Sequence, residues 1–157
     1  MNIEKLSNLQ IVTIAVALLK GHINHVDRED IAIKANKIAP GKFNWRKYPN
    51  RIDLDVVRVS LNDAKKLNNG ALLIGNNTRG WMLSPNALKW FQYLKKSDQL
   101  RNGLFEQAVE KIFSDQMIEQ ERLFNTNAYQ LFKNNRQEEI NGADFAEFSR
   151  LDEYFKE

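Results

Sequence analysis

The chain has 157 residues, 43% hydrophobic and 27% charged, with a formal net charge of +3. That balance suits a globular protein able to bury a core without covalent staples, as one domain or one domain with an appendage. Cysteine is absent, which excludes disulfides, thiolate zinc sites and cysteine nucleophiles together. The N-terminus, Met1-Asn2-Ile3-Glu4-Lys5-Leu6, lacks the charged-then-apolar order of a signal peptide. The longest apolar run, Ile11 to Leu19, falls short of the roughly 20 residues that span a bilayer. These features predict a mostly helical, cytoplasmic protein with no membrane contact.

The first helix is expected over Asn8–Lys20, with Ser7 as N-cap, Gln10 at the capping-box position and Gly21 as its stop. Apolar residues surround much of it, so it should be central and well buried. Asp27 is placed to cap the next helix, Arg28–Ile38, which should bury Ile31, Ala32, Ala35 and Ile38. Pro40-Gly41 ends that helix. The segment 41–52 fits no regular period and interleaves cations with rings, Lys42-Phe43-Asn44-Trp45-Arg46-Lys47-Tyr48-Pro49-Asn50-Arg51.

A third, capped helix runs from Asp53 to Leu67, with Leu54, Val57, Leu61 and Ala64 as its buried stripe. Asn68-Asn69-Gly70 follows. Ala71–Gly75, Asn76–Arg79 and Gly80–Leu83 then read as strand, turn and strand, with no third strand evident. Ser84-Pro85 opens a fourth helix with a cap and an N1 proline, its apolar side carrying Leu88, Trp90, Phe91 and Leu94. Beyond Ser97-Asp98, helices are expected over Leu104–Leu123, Asn127–Lys133 (capped by Thr126) and Ala143–Phe155. In the longest of these, Leu104/Phe105, Ala108/Val109 and Ile112/Phe113 form the apolar stripe. No internal repeat or low-complexity tract is present.

The order helix, helix, helix, strand, strand, helix over residues 6–96 resembles the winged helix-turn-helix superfamily. The Asp53–Leu67 helix, the Gly75–Gly80 turn and Gly80-Trp81-Met82-Leu83-Ser84 carry the resemblance. The fold class that follows is mainly α with a small β-hairpin: a winged-helix-like domain, 1–96, and an acidic helical extension, 97–157. Charge divides in a similar place. Residues 1–92 hold 14 Lys+Arg against 7 Asp+Glu, and residues 93–157 hold 9 against 13. A basic half joined to an acidic half implies two surfaces with different partners.

The resemblance implies a DNA-binding protein, a transcriptional regulator, whose partner is double-stranded DNA. Helix 53–67 would enter the major groove. Arg58 is suited to guanine and Asn62 to adenine, while Lys65 and Lys66 suit phosphates. Asp53 and Asp55 work against this, since they cap the helix and repel an anionic groove. The wing offers Arg79, and an arginine at a wing tip favours backbone or minor groove. In the loop, Lys42, Arg46, Lys47 and Arg51 supply counter-charge, with Trp45 or Tyr48 able to stack. An ordinary solvated surface accounts for the same charges, and Phe43 or Trp45 could instead be folded beneath the loop as core.

A competing reading is a non-enzymatic interaction module, or an accessory subunit of a larger nucleic-acid-acting or defence complex. Either way residues 97–157 are candidates for a homodimer contact or a protein partner. His22 and His25 with Asp27 and Asp30 do not make a convincing metal set, because the acids read as capping and first-turn charge. There is no P-loop, GxGxxG, GxSxG or HExxH. Glu138-Glu139 and Asp152-Glu153 fall on polar helical faces, so no catalytic residue, metal or cofactor is assigned.

Overall fold

The computed structural model of the chain describes residues 6–96 and 103–149. The described residues contain seven α-helices and one two-stranded antiparallel sheet. The chain divides into two compact units, Met1–Ile112 and Phe113–Glu157. That division falls inside the longest helix, later than the boundary expected at 96/97. The segment 97–102, with the expected breaker Ser97-Asp98, lies outside the described residues.

In the first unit, helix α1 (Asn8–Leu18) is the hub, packing on both following helices and on the second strand. Every residue from Ile11 to Ala17 is buried. The one hydroxyl in that run, Thr13, is satisfied by donating to the Leu9 carbonyl at 2.7 Å. Burying each Ile or Val side chain contributes about 1.5–3 kcal/mol, which fixes α1 as the core element. At its start the Ser7 N–H and hydroxyl both donate to Gln10 Oε1, at 3.0 and 3.1 Å.

The end of α1 differs from the expected glycine stop. Lys20, not Gly21, adopts the left-handed conformation, at φ 63°. Gly21 is required for closeness instead: its N–H donates to the Val16 carbonyl at 2.8 Å, and a Cβ there would lie 2.2 Å from Val16 Cγ1.

Helix α2 (Arg28–Ile38) starts at Asp27, whose carboxylate accepts from the Glu29 N–H at 2.7 Å, and buries the four expected residues, Ile31, Ala32, Ala35 and Ile38. Helix α3 (Leu54–Lys65) packs on α1 and α2. Asp53 caps it, accepting from the N–H groups of Asp55 and Val56. Val57, Leu61 and Ala64 are fully buried, but Leu54 is 36% exposed. The stripe is completed by Ser60, whose hydroxyl donates to the Val56 carbonyl at 2.7 Å. Lys66 leaves the helix for an extended conformation, so Leu67 falls in a short 3-10 turn and is 89% exposed, rather than closing the helix.

Strands β1 (Leu73–Asn76) and β2 (Gly80–Leu83) pair in the register Leu73↔Leu83 to Asn76↔Gly80. Their turn is held by Asn76 Oδ1, which accepts from the N–H groups of Thr78 and Arg79 at 2.9 and 2.8 Å. Gly75 sits at φ 119°, where a Cβ would lie 2.2 Å from the Gly80 oxygen, so no other residue fits. A third, one-residue strand also joins the hairpin. Val26, between α1 and α2, bridges Trp81 in antiparallel sense. Trp81 is 1% exposed.

Helix α4 (Pro85–Lys96) is capped by Ser84. Its Oγ accepts from the N–H groups of Asn86 and Ala87 and donates to the Ala71 carbonyl. Phe91 and Leu94 are buried as expected, whereas Leu88 and Trp90 are half-buried and Ala87 takes the inner position.

Helix α5 (Gly103–Asn125) begins in the first unit, with Ala108, Val109 and Ile112 buried; the side chains of Leu104 and Phe105 lie outside the described set. In the second unit Thr126 starts helix α6 (Asn127–Lys133). Its hydroxyl donates to the Leu123 carbonyl at 2.7 Å and accepts from the Tyr129 N–H at 3.4 Å. Helix α7 (Gly142–Ser149) opens on Asn141, whose Oδ1 accepts from the N–H groups of Ala143 and Asp144. Arg122 donates to the carbonyls of Glu147 and Phe148 while pairing with Glu119. A cation thereby meets the carbonyl end of α7, where it is electrostatically favoured. Residues 150–157, with the expected end of this helix and Asp152-Glu153, lie outside the described residues.

Candidate nucleic-acid interface

The loop between α2 and α3 is closed at its neck by backbone hydrogen bonds. The Asp53 N–H donates to the Phe43 carbonyl at 2.7 Å, and the Trp45 N–H donates to the Arg51 carbonyl at 3.0 Å. Asn44 and Ile52 form a bridge between them, and the Asn44 amide donates to the Pro49 carbonyl. Phe43 is the buried ring, at 0% exposure, and anchors the neck. Beyond it everything from Trp45 to Arg51 is exposed.

The loop residues expected to act together separate into two kinds. Lys42 is half-buried and donates from Nζ to the Leu6 carbonyl at 2.8 Å, so it braces the N-terminal segment. Arg46, Lys47 and Arg51 are exposed and make no ion pair with a described residue. Trp45 (44% exposed) and Tyr48 (49%) have ring centroids 6.0 Å apart, tilted by 53°. Lys47 Nζ and the Arg51 guanidinium each stand 5.9 Å from the Tyr48 ring centre, within cation–π range.

On α3 the expected readers are all engaged within the chain. Arg58 pairs with Asp55 at 2.7 Å. Its hydrogen bond and charge hold the Asp55 carboxyl below the usual carboxylate range, and Asp55 in turn raises Arg58. The Asn62 amide donates to the Arg58 carbonyl at 2.8 Å, and Lys66 pairs with Asp63 at 2.7 Å. Lys65 donates to the Gly75 carbonyl at 3.0 Å, tying α3 to β1. These groups are on the surface, but their donors are directed at acceptors of the same domain.

At the hairpin tip Arg79 is exposed, and only its backbone N–H is used in the turn. His22 is half-buried and His25 is exposed. Among the described residues no three His, Asp or Glu side chains converge on a point that could hold a metal ion, and no helix is long and apolar enough to cross a membrane.

A feature that the sequence reading missed is a groove of about 350 Å³ between the start of α1 and α3. It is lined by Ser7, Asn8, Leu9, Asp55, Val56, Val59, Ser60 and Asp63. The signal for it was the helical spacing of Val56, Val59 and Asp63, one step around from the buried stripe. No family model, curated protein or solved structure matches the chain.

Proposed function

We propose that the chain is a DNA-binding protein of winged-helix type, a transcriptional regulator that contacts duplex through the 42–51 loop and the hairpin tip, with α3 lying alongside. One observation carries the reading. Arg46, Lys47, Arg51 and Arg79 are exposed cations with no carboxylate partner among the described residues, on two closed and well-braced loops. Phosphate contact by such groups releases counterions and dominates affinity. The Val26–Trp81 bridge adds to the resemblance, since a short strand before the second helix pairing with the hairpin belongs to that architecture. Arg58, Asn62, Lys65 and Lys66 are assigned a lesser share than the resemblance implies, because each gives up an existing interaction to reach DNA.

The test is the duplex affinity of single alanine variants. Arg46→Ala and Arg79→Ala should each weaken binding several-fold, and more than Arg58→Ala does. The opposite ranking would return recognition to α3.

A second reading is a protein-docking module, favoured by the α1–α3 groove, whose lining combines Leu9, Val56 and Val59 with Asp55 and Asp63. The acidic second unit supports a protein partner or a second copy through its own surface. It leaves Met117, Phe124, Phe132 and Phe145 exposed, and exposed aromatics are enriched where proteins meet. Recovery of one stoichiometric partner, with no DNA affinity, would favour this reading.

A further inference from the structure

We infer that Trp45 is a stacking platform for an unpaired DNA base, so that the protein prefers a duplex carrying a single-stranded tail to a blunt duplex. The inference rests on the DNA-binding reading and names the form of DNA that reading takes.

The two exposed rings of the loop differ in what covers them. Tyr48 has a cation from each side of its own sequence within 5.9 Å of the ring centre, Lys47 and Arg51. Among the described residues no cation stands over Trp45, which keeps 44% of its surface exposed. At 6.0 Å between centroids the rings are already in contact, so no base enters between them. A base stacks on the open side of Trp45, and Tyr48 acts as a positioning residue that keeps two cations beside it.

The charge of the loop selects the occupant. Residues 42–52 contain four Lys or Arg and no Asp or Glu. The nearest carboxylate in sequence, Asp53, is committed to capping α3. An aromatic face flanked by exposed cations fits a strand whose phosphates follow the cations while one base leaves the stack, the recurring arrangement for single-stranded DNA. A base inside a duplex has both faces covered by its neighbours and cannot use Trp45. The loop is also preorganised: its neck is fixed by the Phe43–Asp53 and Trp45–Arg51 hydrogen bonds, so little ordering is left for binding.

The test compares two fluorescently labelled probes, each a duplex of about 20 bp with a tail of about 8 nucleotides. One tail is of thymidines and the other is abasic, so phosphate charge is equal and only the bases differ. The full chain should prefer the thymidine tail by about tenfold, the scale of one stacked base. Trp45→Leu should abolish the preference, so that the ratio of the two affinities falls to about one whatever happens to each affinity, and Trp45→Phe should keep part of it. Trp45 is half-exposed, so these variants retain the fold, which circular dichroism checks. Equal affinity for both tails overturns the inference and leaves the DNA-binding reading standing. A preference that survives Trp45→Leu overturns the assignment to Trp45. No binding to either probe at low salt overturns both.

Discussion

Val26 and Trp81 exchange a reciprocal pair of backbone hydrogen bonds, N–H to carbonyl in each direction and each 2.9 Å long. A single residue thus supplies a third strand to a hairpin of two. An isolated two-stranded hairpin is at best marginally stable in water. Here the side chain of Trp81 is buried, β2 rests on α1, and Val26 closes the other side of the backbone. The hairpin is therefore held at its base, and its tip residues, Asn77 to Arg79, are exposed.

Val26→Pro removes one donor of that pair and leaves the Trp81 carbonyl without its partner. Unfolding in urea should show a loss of about 1–3 kcal/mol. An unchanged midpoint would mean that the bridge does not support the hairpin.

Gly21→Ala should destabilise the protein by about 1–3 kcal/mol, the usual cost of overpacking. The added Cβ meets Val16 Cγ1 at 2.2 Å and the Val16 oxygen at 2.8 Å. Val16→Ala in the same chain removes the first clash but not the second and gives up buried apolar surface of its own, so the pair should cost less than the sum of the two single substitutions. Full tolerance of Gly21→Ala would refute the close approach.

The helix starts were the most legible part of this fold. Asp27, Asp53, Ser84 and Thr126 all cap where the sequence places them, because a short polar side chain before an apolar period has a local effect. The buried stripes of α2 and most of α3 were equally plain. What escaped the sequence was non-local. Lys42 reaches the Leu6 carbonyl across 36 positions, and no pattern marks Val26 as a strand of one residue. The self-pairing of α3 is a different case. Asp55/Arg58 and Asp63/Lys66 stand at i,i+3, a spacing that brings side chains together and was legible in the sequence. Leu54 stands in the first turn of α3 and is 36% exposed, and Leu67 falls beyond the helix end in the 3-10 turn, so neither joins the buried stripe.

Asp55 and Arg58 give a pH prediction with a defined sign. The folded carboxyl of Asp55 lies below its ordinary 3.8 because Arg58 donates to it and carries the opposite charge. The stabilisation this brings is complete above the unfolded value and is lost as pH falls through the folded one. Arg58→Ala should raise the Asp55 pKa toward 3.8 in an NMR titration, and the stability difference between the variants should fade under strongly acid conditions. An Asp55 titration that ignores Arg58→Ala would show that the pair does not persist in solution.

Thr126→Ala removes both roles of a buried hydroxyl, cap acceptor and donor to Leu123. Loss of such a cap costs typically about 1 kcal/mol. Hydrogen exchange should show faster opening of α6, with α1 to α3 unaffected. Faster exchange in α1 to α3 as well would contradict the division into separate compact units.

The central claim is that exposed cations of the 42–51 loop and the wing bind duplex phosphates. Fluorescence anisotropy of a random duplex of about 25 bp, titrated across a range of salt, tests it most directly. The account predicts micromolar binding whose log affinity falls linearly with log salt. Arg46→Ala and Arg79→Ala should each lower that slope by about one. Absence of binding at low salt, or a slope that neither substitution changes, would contradict it.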